Sequence, residues 1–267
     1  MLSDAQVRGY LDRLGIAEAP EPTKENLDRL IYAHQTHIPF ETVSVHRAQG
    51  VPDLSLPAIY DQVIERRHGA YCFQLNKLFQ KLLEALGYKV RPVICRAVRG
   101  REGRMPINHR GLIVTLDEGR YSADVGFGGP MPAGALGLFP GVEQDICGET
   151  YIAERSDHAW WKIDRITKAE RDLHDDGLPA RRQTELELCT AAVEEIDFDS
   201  MNHFFSLPGT LFKDHELVNL RTDGGYKGFR DGVLTLREGG EKTIIELEGP
   251  DEVARALREH FDLDYDA

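Results

Sequence analysis

Hydrophobic and polar positions repeat at helical spacing through the first third of the chain. Ser3 followed by Gln6 has the form of a capping box, and the helix it opens runs toward Gly15. Thr23 opens a second helix with Leu27, Leu30, Ile31 and His34 on one side, closed by Pro39 after His37-Ile38. Pro57 precedes a third helical pattern, Ile59 to Arg66. The strongest signal begins at Cys72. Cys72, Leu75, Phe79, Leu82 and Leu86 share one helix face, and Gly87 stands where a left-handed glycine would end it. Residues 1–87 therefore read as a helical bundle.

The period then changes. Tyr88 to Val98 is rich in β-branched residues, and His109 to Leu116 reads as a strand. Asp117-Glu118-Gly119 turns the chain into a returning strand over Tyr121 to Phe127. A Gly/Pro-rich loop follows over 128–141, then strand patterns near Tyr151-Ile152 and over Trp160 to Ile166. The charged, unpatterned stretch 167–183 reads as a connection. These features make 88–183 a β-barrel region. The remainder, 184–267, combines a short strand (Glu185 to Thr190) and a short helix near Met201 to Phe205. A meander follows, with turns at Asp223-Gly224-Gly225, Asp231-Gly232 and Gly239-Gly240. A closing helix carries Val253, Leu257 and Phe261 on one face. The fold class is α+β.

Composition narrows the function. Of 267 residues, 41% are apolar, which supports a substantial core, and the formal charge of −13 argues against a nucleic-acid partner. Arg96, Arg99, Arg101 and Arg104 still form a local positive cluster open to an anionic ligand. No apolar run has the length of a membrane span, and the first residues lack the pattern of a secretory signal. Cys72, Cys95, Cys147 and Cys189 form neither a C-x-x-C pair nor a zinc pattern. The expectation is a reduced, cytoplasmic protein with no metal and no membrane partner.

The candidate chemistry centres on His68-Gly69-Ala70-Tyr71-Cys72-Phe73-Gln74-Leu75-Asn76. Small residues at 69 and 70 let the backbone turn tightly into the helix, placing Cys72 in its first turn. Free amides and the helix dipole there favour a thiolate. A buried core cysteine is the competing reading. His109, at a strand start, could take the thiol proton, and Asp124 on the neighbouring strand could orient the imidazole. Asp124 fits poorly as a solvated acid, because Val125, Gly126 and Phe127 follow it. The glycines of Asp124-Val125-Gly126-Phe127-Gly128-Gly129 allow a ligand close to the backbone, but the stretch is not a P-loop.

With these residues in view, the chain resembles the arylamine N-acetyltransferases. The matching stretches are Ile38-Pro39-Phe40-Glu41-Thr42, the segment 68–76, the strand His109-Arg110-Gly111-Leu112-Ile113-Val114, and Asp124-Val125-Gly126-Phe127-Gly128. Asn202-His203-Phe204-Phe205-Ser206-Leu207-Pro208 is a looser match to a segment lining the family's cleft. The resemblance implies a cysteine-protease-like triad of Cys72, His109 and Asp124. It also implies a bundle, a barrel and an α/β lid. The implied reaction moves acetyl from acetyl-CoA to an arylamine or arylhydrazine through an acetyl-cysteine. Gly126, Phe127, Gly128 and Ser206 are then the expected CoA contacts. Phe40, Tyr71, Phe127 and Phe204 are the expected walls of the acceptor pocket.

Departures from the family pattern are His68 for Arg, Ala70 for Gly, Gln74 for Glu and Thr42 for Asn. They leave room for an amide synthase of the same family with another acyl donor, or for a cysteine hydrolase. They also leave Glu41 to be anchored by Arg67 or His68, with Arg67 the stronger candidate because guanidinium stays charged and bonds bidentately.

Overall fold

The computed structural model describes residues 1–99, 101, 103–167 and 182–265. The expected connection at 167–183 lies almost wholly outside them.

The bundle comprises α1 (Asp4–Arg13), α2 (Lys24–His37), α3 (Val43–Arg47), α4 (Leu56–Tyr60), which continues as one π-helical turn over Asp61–Glu65, and α5 (Cys72–Ala85). Its start signals work as read. Ser3 and Gln6 form the reciprocal capping box, and the Thr23 hydroxyl accepts the Asn26 amide. Gly87 takes φ +90 just past α5. Leu75, Phe79 and Leu82 are buried to the last atom, each such burial being worth about 1.5–3 kcal/mol.

Strands β1 (Phe40–Glu41), β2 (Lys89–Ala97), β3 (His109–Leu116), β4 (Gly119–Ala123) and β5 (Leu136–Gly137) come next. They are followed by β6 (Glu143–Ile146), β7 (Glu149–Arg155), β8 (Trp160–Ile166) and β9 (Arg182–Cys189). Eight of them, all but β1, form one antiparallel sheet in the order β5-β4-β3-β2-β9-β8-β7-β6. It curls into a nearly closed barrel. The Gln144 side chain spans the seam, accepting from the Gly137 amide at 2.8 Å and donating to its carbonyl at 2.9 Å.

Beyond the barrel come α6 (Asp197–Phe205), α7 (Leu211–Asp214), the meander β10 (Leu217–Thr222), β11 (Gly225–Arg230), β12 (Val233–Glu238) and β13 (Glu241–Glu246), and α8 (Gly249–Phe261). With β1 these strands form a second sheet, β1-β10-β11-β12-β13. Leu257 and Phe261 of α8 cover one of its faces with Val218, Phe229 and Leu234. Among the described residues no helix is long and apolar enough to cross a membrane.

Three expectations need correction. The strand read as opening the last region, β9, lies inside the barrel, with Cys95 opposite Leu188 on one side and Trp161 opposite Leu188 on the other. Phe40–Glu41, read within the bundle, leaves it to pair with β10. The returning strand stops at Ala123 rather than Phe127, so Asp124 opens a loop. The reason is local: side chains of Asn76 and Asp124 take the Val125 and Gly126 amides, which therefore have no sheet partner.

Candidate active site

Cys72 begins α5 and is 1% exposed. Tyr71 before it is extended, and the amides of Gln74 and Leu75 both close on its carbonyl. The Cys72 amide thus lies ahead of the first intrahelical bond. Gly69 makes the approach possible, since a Cβ there would stand 2.4 Å from the Pro39 carbonyl oxygen and 2.7 Å from Glu41 Cγ.

The fold brings Cys72, His109 and Asp124 together. His109 Nε2 lies 2.5 Å from Asp124 Oδ2, and the Cys72 sulfur is close enough to the same imidazole to raise its proton affinity. Burial alone would lower the imidazole's proton affinity. The adjacent carboxylate, its hydrogen bond and the Cys72 sulfur outweigh burial and raise it. Asp124 behaves in mirror fashion: burial favours the neutral acid, yet His109, Asn76 and the Gly126 amide hold it below the ordinary carboxylate range. The pair is a buried imidazolium–carboxylate with the Cys72 sulfur beside it.

The second oxygen of Asp124 is held from α5 itself. Asn76, one turn beyond Cys72, donates from Nδ2 to Asp124 Oδ1 at 2.9 Å and to the Arg110 carbonyl at 2.6 Å. Its Oδ1 accepts the Val125 amide at 3.0 Å. One helix therefore carries both the thiol and the clamp on the acid. Gly126 lets the loop lie against that helix, because a Cβ there would meet Cys72 Cα at 2.9 Å and Asn76 Nδ2 at 3.0 Å. Gln35 of α2 supports the loop from behind, donating to the carbonyls of Asp124 and Pro132. Arg221 of β10 reaches Gln35 Oε1, the Met131 carbonyl and Glu149, tying the second sheet to the same loop. Sequence reading gave no role to Gln35, Asn76 or Arg221. For Asn76 a signal existed: it lies four residues after Cys72, on the same helix face.

The aromatic candidates separate. Phe127 stands edge-on to His109 with ring centroids 5.6 Å apart. Phe40 packs under Gly128, where a Cβ would strike its ring at 2.4 Å. Phe40, Phe127 and Gly128 border a small void of about 30 Å³. Gly128 also borders a larger cleft of about 600 Å³ between the loop and the second sheet, with Arg99, Asn219, Tyr226, Arg230 and Arg237. Tyr71 and Phe204, expected as pocket walls, line neither. Tyr71 is fully buried against Phe73 and Phe212 with its hydroxyl on Asn202 Oδ1, and Phe204 is 53% exposed on Phe205. The Ser206 hydroxyl donates to the Asn202 carbonyl one turn back and lines neither cavity.

Glu41 corrects another expectation. Arg67 bonds Asp262, and His68 stacks on Tyr265 with ring centroids 4.5 Å apart. Glu41 instead accepts the Ser44 amide at 2.8 Å and Gln62 Nε2 at 3.5 Å, with the Tyr265 hydroxyl alongside. Burial dominates these bonds and raises its carboxyl above the ordinary value.

The family model for N-acetyltransferase (Acetyltransf_2) matches residues 23–267. The arylamine N-acetyltransferase of Mycolicibacterium smegmatis is 30% identical over 266 residues, 96% of this chain and 91% of its own. The solved structure of Mycobacterium marinum arylamine N-acetyltransferase in complex with CoA is 27% identical, with a TM-score of 0.85 over 96% of this chain and 92% of that one. Proansamycin X synthase of Amycolatopsis mediterranei is 30% identical over 152 residues, 56% of this chain and 58% of its own. The chain belongs to the arylamine N-acetyltransferase family and is an acyltransferase of that kind.

Proposed function

We propose that this enzyme acetylates an arylamine or arylhydrazine from acetyl-CoA by a ping-pong route through acetyl-Cys72. The observation that carries the reading is the buried His109–Asp124 pair beside Cys72 at the start of α5. The Cys72 thiolate attacks the thioester carbonyl, and CoA leaves with the proton held by His109. The amine then attacks the acetyl-cysteine. Neutral His109 takes the amine proton as the Cys72 sulfur departs, which restores the ion pair. The amide at the helix start supports the oxyanion in both steps.

The cleft of about 600 Å³ fits the donor: in an acidic protein it gathers Arg99, Arg230 and Arg237. Phosphates of CoA would find their counter-charges there. The loop runs from Gly128 at the cleft edge through Phe127 to Gly126 against Cys72, and Phe40 with Phe127 supplies apolar wall for an aromatic acceptor. Four unpaired cysteines support a reducing cytoplasm. The likeness to proansamycin X synthase supports a second reading, the same two steps with another acyl donor.

Intact-mass analysis tests both. Brief incubation with acetyl-CoA and no amine should add one acetyl group, mapped to Cys72. Burial pushes the thiols of Cys95 and Cys147 up, which disfavours them as nucleophiles. Steady CoA release without an adduct would mean a hydrolase. An adduct formed only from a different acyl thioester would keep the chemistry and move the donor.

A further inference from the structure

The last strand of the second sheet is open. β13 lies at the sheet edge opposite β1, and among the described residues no strand pairs with its outer side. Its six residues, Glu-Lys-Thr-Ile-Ile-Glu, are all exposed, with Ile244 at 57% and Ile245 at 39%. Edge strands are usually blunted by a proline, a bulge or charged side chains, and β13 carries charges of both signs, Lys242 between Glu241 and Glu246. The β12–β13 register runs unbroken from Val233↔Glu246 to Glu238↔Glu241, and neither strand contains a proline.

The backbone fixes which groups are free. Glu238↔Glu241 flanks the two-residue turn Gly239-Gly240, so it is a hydrogen-bonded pair, and such pairs recur at every second residue. The Leu247 amide donates to the Gly232 carbonyl, which confirms the parity. Residues 241, 243, 245 and 247 therefore bond inward to β12. Lys242, Ile244 and Glu246 turn their amides and carbonyls outward.

A second copy fits those groups best in one register. Antiparallel pairing centred on Ile244 sets Ile244 against Ile244 of the second copy, and Lys242 against Glu246 at both ends. Every outward backbone group finds a partner, giving about six hydrogen bonds. Registers centred on Lys242 or on Glu246 would oppose like charges. Those centred on Thr243 or Ile245 keep the backbone bonds but set Ile244 against Lys242 or Glu246 instead of against itself. The side-chain pattern thus favours the register that pairs opposite charges at both ends and isoleucine with isoleucine.

We infer that β13 is a self-pairing edge: two copies join through it antiparallel about Ile244, making one continuous ten-stranded sheet. The two-fold axis stands perpendicular to that sheet. Ile244 shares a face with Val233, Thr235 and Arg237, which line the large cleft, so both clefts open on the same side of the joined sheet. A six-residue edge buries little area, and the dimer is concentration-dependent.

Sedimentation of the full chain over about 10 µM to 1 mM reads the equilibrium. Wild type should shift from monomer toward dimer. Lys242→Glu and Glu246→Lys should each abolish the shift, because each sets like charges opposite one another at both ends. The doubly exchanged variant should dimerise again. So should an equimolar mixture of the two single variants, since opposite charges then meet at both ends. A wild type monomeric throughout would overturn the proposal. A dimer indifferent to the single exchanges, or single losses restored by neither the double variant nor the mixture, would overturn it equally.

Discussion

Two buried carboxyls flank the Cys72 turn, and their surroundings push them in opposite directions. Asp124 faces an imidazole, takes an Asn76 amide and a backbone N–H, and is held ionised. Glu41 lies on the other side of the Cys72 turn and is equally buried, but amides and hydroxyls surround it and burial pushes it toward the neutral acid. Both are hydrogen-bonded. What separates them is a cation at contact distance, since hydrogen bonds from neutral donors did not offset desolvation at Glu41. Asp124 holds a charge against His109; Glu41 fills a polar hole and braces the turn through Ser44 and Gln62.

The sharpest test of that contrast is a matched pair of amides. Asp124→Asn should lower kcat/KM by more than about two orders of magnitude, because it removes the charge that keeps His109 protonated and oriented. Glu41→Gln keeps size and hydrogen bonding at a site where burial already opposes the charge, and should stay within about tenfold of wild type. Comparable losses in steady-state acetyl transfer would dissolve the distinction.

Asn76 is the next lever. Asn76→Ala leaves the Val125 amide unpaired in a buried setting and strips Asp124 of one donor. A stability loss of about 2–3 kcal/mol and a rate loss of about tenfold to a hundredfold are expected. Its signature is in the pH profile. With the carboxylate less well held, the acid limb of kcat/KM should move to higher pH. A loss of stability with an unmoved limb would make Asn76 a packing residue only.

This pair of acids also marks what could be read from the chain. The positions of Cys72 and His109 were legible because each sits at an element boundary whose pattern is local, a helix start and a strand start; Asp124 stood out by the apolar and glycine residues after it, although its strand was read past it to Phe127. The environment of Glu41 was not. Its neighbours come from α3, the π-helical turn and Tyr265 near the far end of the chain, and no spacing rule links them. The excursion of Phe40–Glu41 into the second sheet was hidden for the same reason, since two residues carry no period. Strand β9 was misplaced because its partners lie far from it in sequence; its own alternation was clear.

Stability against pH should show the two acids with opposite sign. The folded value of Glu41 is raised, so its contribution is full below the ordinary carboxylate range and is lost as pH rises through that raised value. Glu41→Gln has no proton to lose. It should melt above wild type by about 2–4 °C at pH 8, with the gain vanishing near pH 4. Asp124 is lowered, so its contribution is present above the ordinary value and disappears as pH falls through the depressed one. Asp124→Asn should therefore melt below wild type at neutral pH and converge with it in acid. Melting curves of the two variants that move together with pH would contradict the assignment of charge.

The smallest effect concerns the residues that were expected to supply Glu41 with its cation. Arg67 has φ 58, a left-handed backbone, and its guanidinium meets Asp262 where both side chains are more than half exposed. An ion pair so open to water contributes at most about 1 kcal/mol, and often nothing measurable. Arg67→Ala also keeps the backbone strain, so a loss under about 1 kcal/mol is expected; Arg67→Gly relieves that strain and should recover most of it. His68 is half-buried, and its ring lies tilted on Tyr265, the residue whose hydroxyl stands beside Glu41. His68→Ala removes that stack, about 0.5–1.5 kcal/mol, and loosens the ring that helps enclose the buried Glu41 carboxyl. Thermal melts at neutral pH should thus rank His68→Ala as the more damaging change, the reverse of the order a charged anchor for Glu41 demands. A larger loss for Arg67→Ala would return a cation to the Glu41 side of Cys72 and make the two acids alike.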